Sequence, residues 1–249
     1  MNIIEIKDLC HNFANGSPGI IDINLTIKKG EFIVIAGQNG SGKTTLCRHL
    51  NGLLSPASGS VLIKNVSVKS DPSRARQIVG MVFQNADSQI VGETVYSDIA
   101  FGPENLRLNR KEIDRRVKLA MEAVGLQGMD DHRPHTLSGG EKRKLAIAGV
   151  LAMNPEILVF DEPFSNLDYP GERHLLRQIL DLHQTGHTIL IITHELEKVV
   201  AHADRLVIMR KGRIVKTGIP HEIIHQVEDF GIREPCSSRL GHGVNSWLN

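Results

Sequence analysis

The sequence predicts an α/β fold: a mostly parallel core sheet with helices packed on it, a small antiparallel β lobe beside it, and an inserted helical segment. Three observations carry this. Short apolar runs rich in β-branched residues (Phe32 to Ala36, Ile157 to Phe160, Ile189 to Ile192) are bounded by Gly, Pro or charge and read as buried strands. Helical patterns alternate with them, as parallel crossovers require. Near the N-terminus the strands instead follow one another through turns, without long helices.

Taken in order, Ile3 to Leu9, Ile20 to Ile27 and Ser60 to Val68 make the antiparallel group. Lys43 to Gly52 follows the strand Phe32 to Ala36 and a glycine-rich turn, and reads as a helix. Ile78 to Phe83 reads as a strand. From about Asn85 to Met153 the pattern is mainly helical. In Lys111 to Val124 the residues Ile113, Val117, Ala120, Met121 and Val124 share one stripe, with Arg110, Lys111, Arg115, Arg116 and Lys118 mostly off it. That basic cluster reads as a solvated helix face, and no nucleic-acid partner is expected. Gly139 to Met153 and Gly171 to His183 are further helices, and Thr188 to Thr193 is a central strand. The domain is expected to span residues 1–226. The stretch 227–249 is polar, with no clear period, and reads as a tail or short appendage.

Composition agrees with one globular domain. Of 249 residues, 41% are hydrophobic and 23% charged, so the chain can bury a substantial core. Aromatics are only 4%, so Ile, Leu, Val and Ala must build that core. Lys plus Arg number 29 against 28 Asp plus Glu, a balance that excludes a generally basic nucleic-acid binder and a long acidic tail. Cys10, Cys47 and Cys236 fit no zinc or disulfide spacing, which points to a reducing compartment. No apolar run approaches the roughly 20 residues of a membrane span. The start MNIIEIKDL lacks a signal-peptide pattern, so a membrane role is expected to come through a partner.

Gly37-Gln-Asn39-Gly40-Ser41-Gly42-Lys43-Thr44, followed by Thr45, matches the P-loop pattern, with a strand before it and a helix after it. The glycines let backbone N–H groups face phosphates, and the helix N-terminus adds its dipole. Lys43 would reach the β- and γ-phosphates, and the Thr44 hydroxyl would bind Mg²⁺. Ile157-Leu-Val-Phe160-Asp161-Glu162 is an apolar strand ending in two carboxylates, placed at the sheet edge where α/β folds bind ligands. Asp161 is the candidate Mg²⁺ ligand, through water. Glu162 is the candidate general base for the attacking water. Leu137-Ser138-Gly139-Gly140-Glu141 opens the next helix; read alone, it is a capping sequence with Ser138 as N-cap.

In this order, the motifs resemble the nucleotide-binding subunits of ATP-binding-cassette (ABC) transporters, over residues 1 to about 225. The resemblance implies a RecA-like P-loop NTPase core with an antiparallel β lobe and a helical subdomain inserted at about 85–153. LSGGE is similar to the family signature LSGGQ, departing at Glu141. Phe13 stands where the family stacks an aromatic on adenine. Gln84 matches the Q-loop glutamine, which touches metal or water and links to the membrane subunit. Ser165-Asn166-Leu167-Asp168 resembles the D-loop, with Asp168 acting across a dimer interface. His194 matches the switch histidine at the γ-phosphate. The family's logic is that two chains pack head to tail, with ATP between one P-loop and the other's Ser138, Gly139 and Gly140.

Asn85 to Val95, then Asp98 to Asn105, the run Ala146 to Met153 and Arg133-Pro134 are most similar to the ATPases of energy-coupling-factor (ECF) transporters, importers of vitamins, cobalt and nickel. That branch implies a second ATPase subunit (a copy or a paralogue), a transmembrane coupling subunit, a substrate-binding membrane subunit, and a peripheral location on the cytoplasmic face of the cell membrane. Asp87, Glu93, Asp98 and Glu104 are its candidates for docking the membrane partner. A conventional ABC importer with a separate solute-binding protein is the alternative branch. A chromosome-structure ATPase would carry a long coiled coil between P-loop and signature, and no sustained heptad is present. A catalytically dead regulatory partner would lack part of Lys43, Asp161, Glu162 and His194, and all four are present.

Overall fold

A computed structural model describes residues 1–248. Along the chain the strands are β1 (Asn2–Asn12), β2 (Pro18–Lys28), β3 (Phe32–Ala36), β4 (Ser58–Ile63), β5 (Val66–Ser67), β6 (Val79–Val82), β7 (Ile157–Asp161), β8 (Thr188–Thr193), β9 (Arg205–Arg210) and β10 (Arg213–Gly218). The helices are α1 (Lys43–Leu50), α2 (Pro72–Ile78), α3 (Val95–Asn105), α4 (Arg110–Val124), α5 (Gly139–Ala152), α6 (Tyr169–Gln184), α7 (Pro220–Ile223) and α8 (Cys236–Arg239).

The core sheet has the order β10-β9-β3-β8-β7-β6. Only β10 runs antiparallel to its neighbour; the other pairings are parallel. Every residue of β3, β7 and β8 is buried, which explains why their sequences show no polar alternation. The two faces of each strand feed two different cores. Ile33 and Ile35 of β3 join Leu46, Cys47 and Leu50 of α1 and the inner face of the antiparallel sheet β2-β1-β4-β5. Phe32, Val34 and Ala36 join the buried stripes of α3, α4, α5 and α6. Alternation along one strand therefore ties both lobes to one sheet.

Local chemistry sets the helix starts. α3, α4, α5 and α6 begin at side-chain caps from Thr94, Asn109, Ser138 and Asp168. Helix α4 ends at Gly125 with a φ of 70°. By contrast α1 has no side-chain cap, so its first N–H groups are left facing the loop before it.

Two readings change in detail. The segment Ser60 to Val68 is a hairpin, not one strand: Lys64 and Asn65 turn it with φ of 50° and 64°. The stretch after 226 is packed on the rest of the chain. It forms short turns and α8, and Trp247 meets Tyr169 edge to face with ring centroids 5.2 Å apart. Among the described residues, no helix is long and apolar enough to cross a membrane.

Candidate functional site

Sheet register assembles the site. Ala36 of β3 pairs with Thr193 of β8, and Ile192 of β8 pairs with Asp161 of β7. The residues that follow these strands, Gly37 onward, His194 and Glu162, therefore emerge along one carboxyl edge.

The loop from Gly37 to Gly42 is shaped by its glycines. Gly40 and Gly42 hold φ of 77° and 102°. A Cβ on Gly37 would collide with the Met209 carbonyl oxygen and the Ser41 hydroxyl. Lys43 curls back, its Nζ donating to the carbonyls of Gly37 at 2.6 Å and Gln38 at 3.0 Å. Burial pushes the Lys43 ammonium below the usual lysine range, and the Glu162 and Asp161 carboxylates oppose that shift. Ser41 Oγ is buried with no hydrogen-bond partner among the described residues. An uncapped helix start, an orphaned hydroxyl and a buried lysine beside one loop are donors of the kind that suit a polyphosphate. Asn39 is exposed on the loop, and the Thr45 carbonyl accepts from His49 Nδ1 at 2.8 Å.

Thr44 Oγ1 donates to Asp161 Oδ1 at 3.2 Å. Burial raises the Asp161 carboxyl above its ordinary value; the Thr44 hydroxyl counteracts this, and the neighbouring Glu162 adds to it. Glu162 has a φ of 48°, a left-handed backbone that turns its carboxylate toward β8. Its Oε1 accepts from the His194 backbone N–H at 3.1 Å and from His194 Nδ1 at 2.8 Å, and its Oε2 accepts from Thr193 Oγ1 at 3.1 Å. The carboxylate is thus fixed by three donors from the end of β8, while the His194 side chain stays 44% exposed with its Nε2 3.9 Å from Glu195 Oε1.

The remaining predicted residues sit around this edge. Thr44, Arg48, Gln84, Gly139, Arg143 and Asp161 are among the residues lining one cavity of about 830 Å³. Gln84 is exposed there. Ser138 caps α5 in a reciprocal box with Glu141: its N–H and hydroxyl donate to Glu141 Oε2 at 2.8 and 2.7 Å. Those two bonds hold Glu141 below the usual carboxylate range. Gly139 and Gly140 leave the helix start uncrowded, since a Cβ on either would meet nothing within 4 Å. Asp168 caps α6 by accepting from Gly171 N at 3.0 Å. Asn166 adopts a φ of 62°, which Asn tolerates better than most residues. Phe13 lies in the turn between β1 and β2, 46% exposed, with Gly19 beneath it and His11 against it edge to face.

Asp98 leaves the docking set. It is buried and accepts from Val91 N and Gly92 N at 2.7 and 2.8 Å, closing the turn before α3. Asp87 is engaged by Lys142 at 2.7 Å yet stays exposed, as do Glu93 and Glu104. Three residues at the site, Arg48, Gln89 and Arg143, were not singled out for it in the sequence. Gln89 shapes the Gln84 loop by accepting from Phe83 N and donating to the Met81 carbonyl, each at 3.1 Å. Arg143, buried among basic neighbours that are not, bonds three carbonyls behind the site.

The fold and this edge define a P-loop nucleoside triphosphatase. Residues 20–165 match the family model described as ABC transporter. The chain is 45% identical to the energy-coupling factor transporter ATP-binding protein EcfA of Methanocaldococcus jannaschii, over 97% of this chain and 88% of that one. It is 41% identical to EcfA1 of Clostridium novyi, over 100% and 92%. Among solved structures it is similar to CbiO1 from Clostridium perfringens, part of the ABC transporter complex cbiONQ, with 34% identity, a TM-score of 0.81 and coverage of 97% and 98%. It is also similar to the ATP-binding cassette MJ0796 in a dimeric post-hydrolysis state bound to ADP and Pi, with 26% identity, a TM-score of 0.78 and coverage of 87% and 98%. The chain belongs to the ABC transporter family, as an ATP-hydrolysing cassette of the energy-coupling-factor type.

Proposed function

We propose that this cassette hydrolyses ATP in a head-to-tail dimer, with a second copy or a paralogue, and so drives an ECF importer of a micronutrient: cobalt, nickel or a vitamin such as biotin. The transmembrane coupling subunit and a substrate-binding membrane subunit are its partners, which places it on the cytoplasmic face of the cell membrane. ATP lies between Gly37 to Thr45 of one chain and Ser138, Gly139 and Gly140 of the other, with Phe13 under the adenine and Asp168 reaching across the interface. Lys43 leaves the Gly37 and Gln38 carbonyls for the β- and γ-phosphates. His194 meets the γ-phosphate with its exposed ring. Glu162 orients the attacking water and takes its proton as the water oxygen bonds to the γ-phosphorus and the bond to ADP breaks.

Mg²⁺ suits the oxygen donors Thr44 Oγ1 and Asp161, with Gln84 within the same cavity. When bound, it neutralises charge on the phosphate oxygens. Among the described residues no group of three or more His, Cys, Asp or Glu is placed to hold a metal ion.

The observation that carries this reading is the Glu162 carboxylate. It is fixed by His194 and Thr193 one residue beyond Asp161, on the edge where the P-loop emerges. Glu162→Gln is expected to lower steady-state hydrolysis by about 100-fold or more while retaining ATP binding and an ATP-dependent dimer, within the range of removing a general base. Hydrolysis at the wild-type rate would remove Glu162 from that role. Capture of the tagged chain from detergent-solubilised membranes tests the partners. A small transmembrane coupling subunit with a small solute-binding membrane protein supports the ECF assembly. Large permeases with a separate binding protein would move the chain to the conventional importers.

A further inference from the structure

Arg143 stands one turn into α5, the helix that opens with Ser138, Gly139 and Gly140. Its side chain is not on the surface: the residue is 4% exposed. Among the described residues no carboxylate pairs with it directly. Its Nη1 donates to the Phe83 carbonyl, its Nη2 to the Glu162 carbonyl at 2.8 Å, and its Nε to the Pro163 carbonyl at 3.2 Å. Burial lowers its pKa, opposed by Asp161, yet a guanidinium stays charged through such a shift.

The three acceptors are not scattered. Phe83 directly precedes Gln84, Glu162 is the base of the proposed mechanism, and Pro163 follows it. A buried cation satisfied only by carbonyls needs several of them, and the planar fork of arginine offers several N–H groups at fixed angles. Glu162 also carries a φ of 48°, a conformation that a side-chain-bearing residue keeps only where its surroundings hold it. Its N–H is held by the Ile192 carbonyl at 2.9 Å, its carboxylate by β8 and its carbonyl by Arg143.

We propose that Arg143 is a positioning residue for hydrolysis: it fixes the backbone of Glu162 and the start of the Gln84 loop to the signature helix, so that the base is aimed only when these three elements are in register. This rests on Glu162 being the base. Arg143 acts through that carboxylate and not on ATP, so its loss lowers the rate of the chemical step and leaves nucleotide affinity alone. It also supplies a physical link by which movement of the Gln84 loop or of α5 reaches the base.

The test is a cycle of Arg143→Met and Glu162→Gln in the full chain. It is read by single-turnover ATP hydrolysis, by KM, by affinity for a fluorescent ATP analogue and by thermal melting. Arg143→Met is expected to lower kcat roughly 10- to 100-fold, the cost of a misplaced catalytic group, with KM and analogue affinity held. Arg143→Lys keeps the charge but not the fork, and should fall between. In the Glu162→Gln background, Arg143→Met should add little further loss, because the group it positions is gone. Equal loss in both backgrounds, or analogue affinity falling in step with kcat, would overturn the proposal. If Arg143→Met does not fold, the same cycle run with Arg143→Lys decides. The two readings fail differently: Glu162→Gln active like wild type removes the base assignment, whereas Arg143→Met active beside a dead Glu162→Gln removes only the positioning role.

Discussion

Glu141 departs from the family signature by one atom type, an oxygen in place of an amide nitrogen, and the consequence is charge. Its carboxylate occupies the Ser138 hydroxyl and N–H, the groups proposed to meet a partner's γ-phosphate. Closing the dimer then requires Ser138 to exchange one anion for another, with the first still close by. A Gln at this position can still complete the capping box, so the helix start survives the change. Glu141→Gln is therefore expected to tighten the ATP-dependent dimer about 5- to 10-fold, since one like-charge contact a few ångströms away costs roughly 1 kcal/mol when solvated. Sedimentation of the Glu162→Gln protein with and without the second change measures this. Unchanged dimer affinity would mean that Glu141 swings clear of the phosphate on closure.

At the scale of elements, the seam between β6 and α5 holds the helical insertion to the core sheet. Gly80 lies in β6, where a Cβ would strike Val150 of α5 and sit 2.8 Å from Pro155 Cγ. Arg116 fastens the other side of the same insertion, donating to the carbonyls of Ala152 and Met153 at 3.3 and 3.2 Å while paired with Glu112. Gly80→Ala should cost about 1–3 kcal/mol, as overpacking of a filled interior does, read as a lower denaturation midpoint with an unchanged m-value. A midpoint that does not move would show that the seam yields.

These same elements mark what the sequence could and could not disclose. The P-loop and the Asp161-Glu162 strand end were legible because each needs a fixed residue type at a fixed spacing beside a buried strand. Ser138 was legible as a cap for the same reason. Arg143 was not, because Lys142, Arg143 and Lys144 look alike on paper, and α5 carries buried residues on most of its circumference, so no stripe says which basic residue turns inward. Nor was Asp98 separable from Asp87, Glu93 and Glu104. An acidic residue that closes a turn and one that faces water have the same letter, and only the N–H groups of Val91 and Gly92 tell them apart. The hairpin at Lys64–Asn65 was hidden because neither residue is a glycine, although both hold left-handed backbone.

Across the whole molecule, the segment after 226 has no sequence period because its structure is borrowed from distant parts of the chain. A Cβ on Gly231 would run into the side chain of Gln38 in the P-loop. The Arg233 backbone forms a parallel β-bridge with Glu195 on the loop after β8, and the Cys236 N–H donates to Glu197 Oε2 at 2.7 Å on that loop. Farther on, the Leu248 carbonyl accepts from Arg173 Nη2 at 3.0 Å on α6, the helix that Asp168 caps. This strap thus touches the P-loop at Gln38, the loop carrying His194 and helix α6, which sequence order keeps far apart. Loops at catalytic edges belong to the least stable part of a structure unless something packs on them. The strap packs on the His194 loop, which α6 also holds through the Lys198–Glu172 pair at 2.7 Å. Glu197→Ala removes the acceptor of the Cys236 N–H without touching His194 or Glu162. It should speed hydrogen exchange at the amides of 194–197, lower kcat several-fold through looser placement of His194, and leave the global melting temperature within about 4 °C, as the loss of one surface-exposed hydrogen bond of roughly 1 kcal/mol implies. Exchange unchanged at those amides would mean that β8 and α6 hold the histidine, and that the strap secures α6 instead.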